Sequence, residues 1–161
     1  MRIEIIGAES LGVRGLCCFI EASNRRILID PGVALGYVRH GLLPHPVQVA
    51  VGVLVRRLII ERWAEATDVV ISHFHGDHTP LYNANPYQLS VWSLVGLNRR
   101  VRVWAKGPEH LVGVERERAR ALSTILGLEV TPAEGREEGL LAFSKPVPHG
   151  MKGSRETVIM T

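Results

Sequence analysis

Apolar and polar positions alternate over the first 30 residues of the chain, which is the pattern of β-strands. This pattern predicts a first strand over Arg2–Ile6, ended by Gly7. It then predicts a hairpin with strands Leu16–Ala22 and Arg26–Ile29 and a turn at residues 23–25. The chain is therefore expected to begin with an antiparallel, β-rich segment.

Two later segments show features of helices. Pro46 is a favourable first residue for a helix, which we extend to about Ala66, although the many valines in this segment also favour strand. From Glu109 to Leu126, apolar residues recur at helical spacing among arginines and glutamates, and Gly127 is a typical helix terminator. Both segments are predicted to be helical.

Short apolar runs predict four further strands: Val69–Ser72, Val101–Ala105, Leu140–Ser144 and Thr157–Met160. The region Pro80–Leu97 has no clear periodicity and carries no prediction. Strands dominate first and helices alternate with them afterwards, an order that predicts an α/β or α+β layered sandwich.

The length of 161 residues predicts a single domain, residues 1–161, with an ample core. Hydrophobic content of 46% and charged content of 22% are typical of a globular protein. The last predicted strand stops without a turn or polar tail, which suggests that this domain is incomplete at its C-terminus. The net charge of +3 is a weak indication of nucleic acid, because arginines and glutamates are interspersed; such a partner is left open but unsupported.

The chain shows no sign of a membrane segment or a secretory leader. Its most apolar stretch, Val47–Ile60, is split by Arg56 and Arg57 and is too short to cross a bilayer. Cys17 and Cys18 are adjacent, so an ordinary disulfide between them is not expected. These features predict a cytoplasmic protein without a membrane partner.

A cluster of metal-binding residue types, His73-Phe74-His75-Gly76-Asp77-His78, follows the predicted strand Val69–Ser72. Imidazole nitrogens and a carboxylate are donors that zinc prefers, and a strand end holds the following loop in place. His73 and His75 can point to one metal, while Asp77 and His78 can turn to a second position. Two metals about 3.5–4 Å apart would hold a hydroxide as nucleophile and polarise a substrate oxygen.

The His73–His78 run resembles the signature of the metallo-β-lactamase fold superfamily. Asp30 lies at the end of an early strand, where that superfamily has a structural aspartate, and Pro148-His149-Gly150 lies where a further metal-binding histidine is expected. The runs Glu9–Arg14 and Asp30–Gly32 further resemble an uncharacterised archaeal branch of the superfamily. The resemblance covers most of the chain and implies an αββα sandwich.

The resemblance implies a role for each residue of the signature. His73, His75 and His149 would bind the first metal, and Asp77 and His78 would contribute to the second. Asp77 would also act in catalysis, by orienting the attacking water or accepting its proton. The expected cofactor is zinc, as one or two ions, with iron or manganese as alternatives.

The function implied is hydrolysis of an ester, amide, thioester or phosphodiester bond by a metal-bound hydroxide, with a small molecule or a phosphodiester as substrate. The chain departs from the pattern because no bridging aspartate and no final histidine follow His149. It would supply one half of the sandwich and the start of the second. Three explanations stay open: a fragment of a longer protein, an oligomer subunit, or a degenerate relative.

The alternative function is a non-catalytic metal-binding or interaction module whose second site is lost or completed by a partner. Three further residues have two interpretations each. Asp30 would support the metal ligands or simply form a turn, and Arg14 would contact an anionic substrate or form a surface ion pair. His45 would approach the metal site or lie exposed in its loop.

Overall fold

The computed structural model describes residues 1–38 and 40–133. This part of the chain contains two α-helices and six strands joined by loops and short 3-10 turns. In chain order the elements are β1 (Arg2–Gly7), β2 (Cys17–Ala22), β3 (Arg25–Ile29), α1 (Pro46–Glu65), β4 (Asp68–Ile71), β5 (Arg102–Ala105), α2 (Gly113–Leu126) and β6 (Val130–Pro132).

The six strands form one sheet, in which their spatial order is their chain order. Strands β1, β2 and β3 are antiparallel, whereas β3, β4, β5 and β6 are parallel. Helix α1 connects β3 to β4, and α2 connects β5 to β6, as parallel strands require. The mixed α/β class expected from the sequence is confirmed.

The predicted helix from Pro46 is confirmed, and it ends at Glu65. The imidazole of His45 accepts a hydrogen bond from the Val47 N–H, so His45 caps the helix start. At the other end, the Asn98 side chain donates to the carbonyl of Trp63. One side of α1 is buried, through Gly52, Val55, Ile59 and Trp63. Tertiary burial of this side overrides the strand preference of the valines.

The prediction for the second helix is right at its end and wrong at its start. Gly127 has a left-handed backbone, with φ of 63°, and ends α2 as expected. However, α2 begins at Gly113 rather than Glu109. Residues Pro108–His110 form a separate 3-10 turn, and Leu111 follows it with an extended backbone and a buried side chain. Leu111 therefore contributes to the core from a loop, which its helical spacing could not reveal.

The five strands predicted within the described residues are confirmed, and their ends shift by about one residue, which is the usual uncertainty of predicted boundaries. Ala22 pairs with Arg25, so the hairpin turn is formed by residues 23 and 24 only. The short strand β6 was not predicted. The predicted strands Leu140–Ser144 and Thr157–Met160 lie outside the described residues.

The core lies between the helices and one face of the sheet. Phe19, Leu28, Val69 and Val103 are neighbours across four strands on this face, and all are buried. On the opposite face, Ile3 and Ile5 at the β1 edge are about half exposed, at 55% and 51%. No helix in the described ranges is long and apolar enough to span a membrane.

Candidate functional site

The histidine motif lies directly after β4, at the edge of the sheet where the parallel strands β3 and β4 both end. This edge is where open α/β sheets usually bind ligands. The loop turns tightly, because the N–H groups of His78 and Thr79 both donate to the carbonyl of His75, at 2.9 and 3.0 Å. The turn folds the motif back on itself.

Gly76 has a steric role in this turn. It is not among the described glycines with a positive φ, so the turn does not depend on a left-handed backbone at this position. A Cβ at Gly76 would lie 2.6 Å from Cδ1 of Leu81 and 2.7 Å from the side-chain nitrogen of Gln88. Gly76 therefore allows the loop to pack closely against the segment that follows it.

The turn brings the predicted ligands on this loop together. The ring centroids of His73 and His75 are 4.7 Å apart, and those of His73 and His78 are 4.1 Å apart. Oδ2 of Asp77 lies 3.9 Å from Nε2 of His78. Three imidazoles and a carboxylate thus share one small region, as the sequence predicted.

Asp30 connects this region to the end of β3. Its carboxylate accepts hydrogen bonds from the N–H and the hydroxyl of Ser72, both at 2.7 Å, and lies 2.9 Å from Nδ1 of His78. Asp30 is only 7% exposed and has a left-handed backbone, with φ of 46°. Of the two interpretations of Asp30, the structure supports a residue that braces the motif.

The hydrogen bonds of Asp30 also assign the ring protons of two histidines. A carboxylate only accepts, so Nδ1 of His78 donates to it. The Ser72 hydroxyl donates its hydrogen to Asp30, and its oxygen, 3.0 Å from Nδ1 of His73, therefore accepts from that nitrogen. In the neutral rings of His73 and His78, the lone pair is consequently on Nε2.

The electrostatic environment favours protonation of His78. Burial alone lowers the pKa of His78, but the hydrogen bond and charge of Asp30, together with the charge of Asp77, outweigh it. The net result is a pKa raised above the usual value for histidine, although the positive charge of Arg14 opposes the shift.

Asp77 is held by the loop between β1 and β2. A guanidinium nitrogen of Arg14 lies 3.7 Å from Oδ2 of Asp77, so Arg14 forms the ion pair that was one of its two interpretations. The adjacent Gly15 has φ of 101°, and a Cβ there would lie 2.1 Å from the Asp77 carbonyl oxygen. Sequence reasoning missed Gly15, because only the tertiary structure brings it against the motif.

These donors do not make a finished metal site by themselves. Within residues 1–38 and 40–133, no group of three or more His, Cys, Asp or Glu residues is arranged to hold a metal ion. The predicted ligand His149 lies outside the described residues. The types of donor and the Nε2 lone pairs fit zinc, whereas a complete coordination shell needs ligands from elsewhere.

A cavity of about 550 Å³ opens beside Arg14. It lies between the β1–β2 loop and the loop leading into α1. Apolar and polar side chains share its lining, including Glu9, Arg14, His40 and His45, together with Leu35, Leu42 and Leu43. His45 lies exposed in its loop, which was one of its two interpretations, where it caps α1 and lines this cavity.

The chain is similar over nearly its whole length to archaeal proteins that carry the name UPF0282. It is 45% identical to the UPF0282 protein of Methanosarcina mazei over 162 aligned residues, covering 100% of this chain and 53% of the relative. Identity is 40% to the protein of Pyrobaculum islandicum, covering 96% and 53%, and 38% to that of Thermococcus onnurineus, covering 100% and 57%.

The chain thus spans about half the length of the curated relatives it matches. No protein-family model matches the sequence. No solved structure matches it either, so the metallo-β-lactamase-like sandwich stays a prediction. These similarities fit an archaeal family of proteins named UPF0282, as the sequence predicted, whereas membership of the metallo-β-lactamase superfamily stays a prediction.

Proposed function

We propose that the protein is a metal-dependent hydrolase whose site is built on the loop after β4. The observation that carries this proposal is the hydrogen-bonded chain from His73 through Ser72 and Asp30 to His78. Ligand histidines in metalloproteins usually donate their second ring N–H to such a partner, which fixes the ring and its tautomer. A buried carboxylate that serves two histidines in this way is difficult to explain by packing alone.

The proposed metal-binding roles are those that the sequence resemblance implies. His73 and His75, with His149, would hold a first ion, and Asp77 and His78 would contribute to a second. Bound zinc, or iron or manganese in its place, lowers the pKa of water and polarises a substrate oxygen. The remaining ligands of the second position would come from a second copy of the chain, or from the further half that the longer relatives contain.

Asp77 is the proposed catalytic residue. Its side chain is about one-fifth exposed, at 19%, so both solvent and substrate can reach it. Oδ2 of Asp77 lies between Arg14, at 3.7 Å, and Nε2 of His78, at 3.9 Å, so the carboxylate is held beside the motif. In this position Asp77 would orient the attacking water and accept its proton.

The cavity beside Arg14 is the proposed substrate site. Its apolar wall, formed by Leu35, Leu42 and Leu43, would receive the carbon skeleton of a small molecule. Arg14 would contact an anionic part of the substrate, because a guanidinium retains several N–H donors after pairing with Asp77. These features suit an ester, amide, thioester or phosphodiester of modest size.

Hydrolysis of generic substrates tests the proposal. The full chain, supplied with zinc, is assayed with bis(4-nitrophenyl) phosphate and 4-nitrophenyl acetate. His75→Ala is expected to abolish turnover, whereas His110→Ala, a histidine outside the motif and after β5, should leave it unchanged. Equal turnover in the parent chain and in His75→Ala would rule out this site as the catalyst.

The second candidate is a metal-binding or interaction module without catalysis. It needs fewer protein ligands than a two-metal hydrolase, and residues 1–38 and 40–133 contain no group of three or more donors arranged to hold a metal ion. The zinc-supplemented hydrolysis assay distinguishes the two functions, because the module would bind zinc through His73 and His75 but release no nitrophenol. A hydrolase would do both.

A further inference from the structure

A second cavity, which we call the basic pocket, lies at the other end of the sheet from the histidine motif. It has a volume of about 430 Å³ and forms where β3, β4 and β5 begin. Its lining residues are Asn24, Arg25, Ala66, Thr67, Asn98, Arg100 and Arg102. Strand β4 separates the two sites by roughly 16 Å, at about 3.3 Å per residue from Asp68 to His73.

A buried carboxylate beneath the basic pocket fixes two of its arginines. Asp68 is only 2% exposed, and its oxygens accept hydrogen bonds from Arg25 at 3.1 Å and from the Trp104 indole at 3.0 Å. A guanidinium nitrogen of Arg102 lies 2.7 Å from Oδ1 of Asp68. The Thr67 hydroxyl donates a further hydrogen bond to the Asp68 carboxylate. Both arginines are therefore held in place before any ligand arrives.

The third arginine has no such partner. The backbone N–H of Arg100 donates to Oδ1 of Asn98, which is itself tied to the end of α1 through the Ala66 carbonyl. The loop is thereby fixed, yet the guanidinium of Arg100 makes no hydrogen bond or ion pair to any residue that the structure describes. Within the described residues, its N–H donors are therefore not used by a protein carboxylate.

The charges of the basic pocket do not balance. Three guanidinium groups line it, and Asp68 is the carboxylate that contacts two of them. Each guanidinium has five N–H donors in a planar fork, of which the contacts with Asp68 use only a part. A concave surface with surplus positive charge and unused forks favours an anion with several oxygens.

We propose that the basic pocket binds the phosphate group of a small phosphorylated ligand. Arginine forks match phosphate oxygens in pairs, and the side chains of Asn24 and Thr67 offer further polar contacts. The volume exceeds what one phosphate needs, so part of the attached molecule fits as well. A nucleic-acid strand is disfavoured, because no lining residue is an aromatic on which a base could stack.

This proposal stands apart from the proposed hydrolase. It uses none of the residues of the histidine motif, and its test needs no metal and no turnover. Failure of the hydrolase assay would leave it intact, and failure of phosphate binding would leave the hydrolase proposal intact.

The proposal is tested by adding phosphate ligands stepwise to the full chain at low ionic strength and measuring the chemical shifts of its backbone amides. Glycerol phosphate and inorganic phosphate are the probes, and chloride at matched ionic strength is the reference. Saturable shifts are expected at amides around the basic pocket, namely Asn24, Thr67, Asn98 and Arg100. Arg100→Ala should weaken binding about tenfold or more, because it removes a charge-assisted contact without touching Asp68.

A matched control removes the same charge elsewhere. Arg57 is exposed on α1 and paired with Glu61, so Arg57→Ala should leave phosphate affinity unchanged. An equal loss in both variants, or the same shifts with chloride, would show only general charge screening and overturn the proposal. The proposal would also be overturned if inorganic phosphate bound but glycerol phosphate did not, or if a dodecathymidylate bound more tightly than glycerol phosphate.

Discussion

Asp30 and His78 are joined by a 2.9 Å contact between Oδ2 and Nδ1, although 48 positions separate them along the chain. The contact exists because β3 and β4 pair in parallel, with Ile29 opposite Val70, so that the two loops leave the same edge of the sheet. The register of β3 and β4 therefore sets both the position of Asp30 and the orientation of the histidine motif.

Asp30→Ala is expected to destabilise the fold markedly. The substitution removes the acceptor for two hydrogen bonds from Ser72 and one from His78 in a region that is largely buried. The expected loss in the free energy of unfolding is about 3 kcal/mol, since buried donors left without acceptors cost about 1–3 kcal/mol each and part of the site will relax. Urea denaturation measures it.

Two variants serve as controls for Asp30. Asp30→Asn keeps an acceptor oxygen and tolerates the left-handed backbone, so it should lose less than the alanine variant. Asp77→Ala removes a partly exposed ion pair and should cost less than about 1 kcal/mol. Equal losses in Asp30→Ala and Asp77→Ala would contradict the bracing role.

Gly15→Ala is expected to disrupt the packing of the β1–β2 loop on the motif. A Cβ at this position would lie 2.1 Å from the backbone oxygen of Asp77, and backbone atoms cannot move away cheaply. Gly12→Ala is the matched control, because Gly12 also has a positive φ, 86°, but open space around it.

Comparing the two variants separates the cost of left-handed backbone strain from the cost of the steric clash with Asp77. Gly12→Ala should lose only the roughly 1–2 kcal/mol of left-handed backbone strain, whereas Gly15→Ala should lose clearly more. Thermal denaturation of both variants measures the difference. Similar midpoints would mean that the loop does not approach Asp77 as closely as the structure shows.

Metal content tests the site without any substrate. Elemental analysis of protein purified without added metal is expected to give at least about one equivalent of zinc, iron or manganese per chain, as a histidine site with an open position would hold. His75→Ala should lose most of it, and His110→Ala should keep it. Two equivalents would mean that the second position is completed, whereas none, even after zinc is offered, would mean that the site does not form in this chain.

The reactivity of the two cysteines reports the electrostatics at the start of β2. Burial, followed by the charge of Asp30, raises the pKa of Cys18, and burial raises that of Cys17 further. A raised pKa leaves less thiolate at a given pH, so the alkylation profile of each cysteine should shift to higher pH than that of the unfolded chain.

Iodoacetamide labelling of Cys17→Ala and Cys18→Ser variants distinguishes the two thiols. The thiol of Cys18, which is only partly buried, should react faster than that of Cys17. Labelling of the folded protein at the same rate as in urea would show that neither thiol is shielded.

The sequence by itself determined the elements and the chemistry that are local. Alternation over short segments predicted β1 to β3, and Pro46 and Gly127 marked a helix start and a helix end that the structure confirms. The motif His73–His78 carried its donors within six consecutive residues, so their proximity needed no knowledge of the fold. Local periodicity failed at Leu111, whose burial comes from a loop rather than from α2.

Only the tertiary structure decided how distant residues meet. The contact of Asp30 with His78, the approach of Gly15 to Asp77 and the two cavities depend on which loops share an edge of the sheet. Strand pairing sets these relationships, and pairing depends on the packing of whole faces rather than on any single segment. The sequence pattern therefore predicts the candidate ligands, while the sheet decides which carboxylate contacts them and which arginines line the basic pocket.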